Sequence, residues 1–125
     1  MRKHLLLIGL SLTLLFWLLN FIALTFYLYW TTGWYDYMMH FLGGLTVGVL
    51  VIWTFNIKNK SPLSFLVVFI SVLVVGGGWE VFEYVNDITF STEGYTLDTI
   101  HDLIMDSLGA VVAYRVSTSK SQELP

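Results

Sequence analysis

Cysteine is absent from this 125-residue sequence, proline occurs twice, and Lys and Arg together number only six. Without cysteine there is no disulfide framework, no thiolate zinc site and no cysteine nucleophile. Charged residues make up 12% of the chain, about half the share that a water-facing surface carries, so a soluble domain is excluded. The net charge of −3 is small and dispersed and offers nothing to a nucleic-acid partner. What is present is hydrophobic: 56% of the residues, gathered in runs long enough to cross a bilayer. The pattern is that of a polytopic membrane protein in contact with membrane lipids, and the chemistry left to it is that of Asp, Glu, His and hydroxyl groups.

Four runs predict an all-α fold, a four-transmembrane-helix bundle with spans at about 5–30, 38–55, 63–84 and 99–116. Residues 1–116 then form one transmembrane domain, and residues 117–125 a polar, disordered cytoplasmic tail. The first run, Leu5 to Trp30, has Asn20 as its main polar interruption and exceeds a hydrocarbon core of about 30 Å at about 1.5 Å per residue. Its basic start imitates a secretory signal, but its length and the lack of a small-residue cleavage site predict an uncleaved anchor. Ser61 and Pro62 are placed as N-cap and first-turn residue of the third span. The fourth run is the least hydrophobic.

Arg2, Lys3, Lys58, Lys60, Arg115 and Lys120 all fall at the N-terminus, between the second and third spans, or in the C-terminal tail. The other side, 31–37 and 86–97, has no Lys or Arg and carries Asp36, Asp87 and Glu93. The positive-inside rule therefore predicts a multi-pass protein of the cell membrane with both termini cytoplasmic. Trp30, Trp34, Tyr35 and Tyr37 are expected to form an aromatic belt at the outer interface.

Three polar stretches lie on that outer side: Asp36 and His40; Glu80, Glu83 and Asp87; and Asp98, His101, Asp102 and Asp106. Residues three or four apart share a helix face, so each stretch makes a stripe. Gly43, Gly76 and Gly109 continue the stripes, and Gly44 and Gly48 form a G-x-x-x-G of the kind that brings membrane helices together, so the polar faces are expected to meet. The run Gly76-Gly77-Gly78 is read as a packing surface. A charge at the bilayer centre costs about 2.5–3.5 kcal/mol, and no Lys or Arg is available in the outer half. The acids must protonate, share protons with histidine, or bind a cation, and oxygen ligands with imidazole suit a divalent ion such as Mg, Mn, Fe or Zn. A plainer account serves Asp36, Asp98, Asp87 and Glu93, as helix caps or solvated loop residues, and His101, as a side chain facing headgroups. Capping explains none of Glu80, Glu83 and Asp106.

The set Asp36-Tyr-Met-Met-His40-Phe, Glu80-x-x-Glu83 and Asp102-x-x-x-Asp106-x-x-Gly109-Ala110 resembles the bacterial VanZ-like membrane proteins and the related, uncharacterised YjdF-like group. The resemblance covers about residues 36 to 113, and Asp36, His40, Glu80, Asp102 and Gly109 match residue by residue. Tyr37, Glu83 and Asp106 replace the Lys, Gln and Asn of the VanZ-like pattern, and its Arg between the third and fourth spans is missing. In being more acidic this chain is more similar to the YjdF-like group. The resemblance implies a small polytopic membrane protein and no established reaction.

Three functions compete. In a metal-dependent hydrolase or transferase on a lipid-linked or envelope substrate, His40, Glu80, Asp102 and Asp106 are the metal ligands, and Glu83 and Asp36 the catalytic carboxylates, Glu83 as general base. In a binding or assembly protein the polar core only fixes helix register. In a cation or proton relay, four short spans need a homodimer to alternate between access states.

Overall fold

The computed structural model describes residues 2–58, 63–86 and 94–119. Among them the chain is all-helical: α1 (Arg2–Thr25), α2 (Leu28–Thr31), α3 (Tyr35–Lys58), α4 (Phe65–Val85) and α5 (Tyr95–Ser119). By length and composition α1, α3 and α4 are each able to cross a membrane. At 25 residues α5 is as long, but Asp98, Asp102, Asp106 and Arg115 leave it more polar than the other three. Four transmembrane helices were expected; among the described residues there are five helices, three of them long and apolar enough to span and one of a single turn.

That extra helix corrects the first span. A continuous helix to Trp30 was expected; instead α1 ends at Thr25, and Tyr27 takes a left-handed conformation with φ 58°. The break lets the chain fold back on α1. Tyr29 donates its hydroxyl to Asn20 Oδ1 at 2.9 Å, and Tyr35 donates to the Leu19 carbonyl at 2.9 Å. Asn20, the polar interruption of an apolar helix, is thereby satisfied, and burial raises the Tyr29 pKa above the ordinary phenol range. Tyr35 is therefore a core residue at 5% exposure, whereas Trp30 and Trp34 are exposed as a belt requires.

Other boundaries move less. The N-cap of α4 is Ser64, whose side chain accepts from the Leu66 N–H at 3.3 Å; Ser61 and Pro62 lie outside the described residues. Helix α5 continues to Ser119, so structure does not stop at residue 116; residues 120–125 lie outside the described residues.

Helix α3 is central, packing on α1, α4 and most closely on α5. Its crossing with α5 passes through two glycines. A methyl group on Gly44 would lie 2.7 Å from the Asp106 Cα, and one on Gly109 would strike the Phe41 carbonyl, so the backbones touch only because neither residue has a side chain. At one end, Leu5, Val49, Ile52, Val68 and Ala113 form a dry cluster. Near the other end Ala23, Tyr29, Tyr35 and Met39 form a second. These pairings bring together the start of α3, the end of α4 and the first half of α5, the three segments that carry the acids.

Candidate functional site

The three stripes meet on His40. Its Nε2 lies 3.8 Å from Asp36 Oδ1, 3.9 Å from Glu80 Oε1 and 3.7 Å from Asp102 Oδ2, while its Nδ1 lies 3.5 Å from Asp106 Oδ2. Helix α3 supplies Asp36 and His40, α4 supplies Glu80 and Glu83, and α5 supplies Asp98, Asp102 and Asp106. All seven are buried, and Asp102 is fully inaccessible. Asp36 and Asp98 stand in the first turns of their helices, where the helix dipole favours acids, yet both face inward rather than acting as exposed caps. Asp87 and Glu93 lie outside the described residues.

Hydrogen bonding treats the carboxylates unequally. Thr99 donates its hydroxyl to Glu80 Oε2 at 2.8 Å, and the Trp79 indole N–H donates to Glu83 Oε1 at 2.8 Å. Tyr95 donates to the Glu80 carbonyl at 2.9 Å, tying the start of α5 to the end of α4. By contrast Glu80 Oε1, both Asp102 carboxylate oxygens and Asp106 Oδ2 are buried with no hydrogen-bond partner among the described residues. Leaving such an atom without a partner costs about 1–3 kcal/mol, and more for a charged group. The segments that carry the acids, 36–40, 80–83 and 98–106, contain no Lys or Arg.

Two sets of donor atoms fall within 4.8 Å of one another, Asp36 with His40 and Asp102, and His40 with Glu80 and Glu83. Ligands about 2.0–2.6 Å from a shared ion stand at such separations, so either set is able to hold a divalent cation. Asp106 is in neither set, because it approaches the other ring nitrogen.

Sequence reasoning placed His40, Glu80, Glu83, Asp102, Asp106 and Asp36 together, and the structure brings all six together. It did not find Thr99, Trp79 or Tyr95. Thr99 was detectable in principle, since it shares the helix face of Asp102 and Asp106. His101 is also better placed than a headgroup-facing residue, as its Nδ1 lies 3.3 Å from the Tyr37 hydroxyl with the two rings edge to face. Tyr37, expected in the aromatic belt, thus pairs with His101 on α5. Of the three successive glycines only Gly76 packs, against the Asp106 carboxylate; Gly77 and Gly78 face open space, which corrects the reading of the whole run as a packing surface.

Residues 4–121, nearly the whole chain, match the model of the family described as predicted membrane protein (DUF2238). The chain belongs to that family. No curated protein and no solved structure matches it. Membership of DUF2238 agrees with the apolar helices and carries no reaction with it; the VanZ-like resemblance rests on the motif residues alone.

Proposed function

We propose that this DUF2238 protein is a four-span protein of the cell membrane, both termini cytoplasmic, whose helices build an outward-facing divalent-metal centre for hydrolysis or group transfer on a lipid-linked or envelope substrate. The observation that carries the reading is the group of buried oxygens with no hydrogen-bond partner among the described residues, Glu80 Oε1 and both oxygens of Asp102, beside His40 Nε2. A cation at His40 Nε2 would take up oxygens of this group as ligands and offset charges that otherwise repel. Helix α5 serves as the fourth span because its acids turn into the seam with α3 and α4. The face it leaves exposed is apolar: Leu97, Ile100, Ile104, Leu108, Val112 and Val116.

The roles differ in two places from those the sequence suggests. Asp36 joins His40 and Asp102 as a ligand, since it approaches the same nitrogen and falls in one set with them. Asp106 Oδ2, 3.5 Å from His40 Nδ1, stands where it would orient the ring so that Nε2 faces a metal, the carboxylate–histidine–metal arrangement common in metalloproteins. Glu83, buried beside the centre and held by Trp79, is the general base for a metal-bound water.

The test is metal analysis of protein purified in detergent, with thermal melting before and after chelation. Bound Mg, Mn, Fe or Zn, a lower melting temperature in chelator and loss of the metal in Asp102→Asn are expected. Metal-free protein whose melting ignores both chelator and added Mn²⁺ leaves a polar core that fixes helix register, or a proton relay.

A further inference from the structure

Six carboxylates are buried at this end of the bundle: Asp36, Glu80, Glu83, Asp98, Asp102 and Asp106. If Asp36, Glu80, Glu83, Asp102 and Asp106 are ionised, one divalent ion leaves three of their five negative charges uncompensated. The donors that reach Glu80 and Glu83, a threonine hydroxyl and an indole N–H, are neutral and leave that charge in place. The ligand atoms also divide into two overlapping sets rather than one. Asp36, His40 and Asp102 form the first, and Glu80 and Glu83 extend the second away from it. His40 Nε2 is able to bind only one ion, so a single cation there serves one set and leaves carboxylates of the other without a metal. Glu80 stands between them: its Oε1 faces His40 Nε2 at 3.9 Å and has no hydrogen-bond partner among the described residues, while Glu83 follows it by three residues on the same face of α4.

Resting on the metal-centre reading, we infer that the centre is dinuclear. Two oxygen-preferring divalent cations of the Mg²⁺ or Mn²⁺ class sit side by side, the first on Asp36, His40 and Asp102, the second on Glu83, with the Glu80 carboxylate shared between them. Two ions about 3.5–4 Å apart supply four positive charges against those five and are the arrangement that clamps both oxygens of an in-line displacement. Glu83 is then a ligand first, and its action as a base runs through the second ion.

Mn²⁺ is the probe, because isolated ions give a resolved six-line magnetic resonance spectrum and ions this close couple and broaden it. Full-length protein in detergent, stripped by chelator and titrated with Mn²⁺, is expected to bind two ions per chain and show the coupled spectrum. Glu83→Gln is expected to bind one and to show the isolated spectrum. Wild-type protein that saturates at one ion with a six-line spectrum overturns the dinuclear centre and leaves the single-metal reading standing. Protein that binds none overturns both. Two ions retained in a well-folded Glu83→Gln would overturn the placement of the second ion. Should that variant not fold, the wild-type stoichiometry and coupling decide alone.

Discussion

Asp106 Oδ2 lies 3.5 Å from His40 Nδ1, on the ring nitrogen that Asp36, Glu80 and Asp102 do not approach. The single imidazole is thus addressed from both sides, and the two sides do different work. If Asp106 only orients the ring, an amide oxygen replaces it, because either group accepts the Nδ1–H. Asp106→Asn is then expected to bind Mn²⁺ within a few-fold of wild type and Asp106→Ala about 10–100-fold more weakly, read by titration calorimetry. Equal, severe losses in both would make Asp106 a ligand in its own right.

Asp102 gives a test in which stability changes sign with the metal. Without a cation its two partnerless oxygens are a liability, and removing a buried, uncompensated charge stabilises a fold by about 1–3 kcal/mol. Asp102→Asn should therefore melt higher than wild type in chelator and lower than wild type with saturating Mn²⁺. A variant that melts lower under both conditions would show Asp102 to be an ordinary structural residue.

Convergence of the polar stripes was readable from periodicity, because His40, Glu80, Asp102 and Asp106 fall on helix faces that glycines allow to approach. The end of α1 was not. Nothing local in the apolar run stops a helix at Thr25; the break is stabilised by Tyr29 reaching Asn20 and Tyr35 reaching Leu19, contacts made only after the chain has turned. The same applies to which nitrogen of His40 each acid meets, and to the donors Thr99 and Trp79. Helical spacing gives a face, whereas these depend on side-chain reach across a helix pair.

The α3–α5 contact predicts a graded response among glycines. Gly44→Ala places a methyl against the Asp106 backbone, and neither helix has a flexible side chain there to give way, so overpacking should cost about 1–3 kcal/mol. Gly78→Ala meets nothing, and in a helix interior it should gain up to about 1 kcal/mol. Thermal melting of the two variants in detergent checks the contrast, and similar values would mean that the helices do not cross as described.

Orientation is tested by fusions. A reporter active only outside the cytoplasm should work after Trp34 or Gly94 and fail after Asn59 or Gln122, because the six basic residues lie with the second pair. Activity at Asn59 would turn the site towards the cytoplasm and remove the envelope substrate from consideration.

The last prediction concerns acid. Metal ligands must be deprotonated to bind, so protons compete with the cation for the imidazole and for every carboxylate oxygen of the centre. Free imidazole takes up its proton near pH 6.5 and free carboxylates near pH 4, and a bound cation pushes both transitions lower because the proton must first displace it. The stabilisation supplied by the metal is therefore lost as pH falls and protons take the imidazole and the carboxylate oxygens from the cation. The difference in melting temperature with and without Mn²⁺, followed from pH 8 down to pH 4, should shrink steadily. Protonation at the acid end also relieves repulsion among the carboxylates, so chelator-treated protein should become more stable over the same interval. The two curves thus converge from opposite directions. A centre with no metal has only the second curve, and added Mn²⁺ would leave it unmoved at every pH.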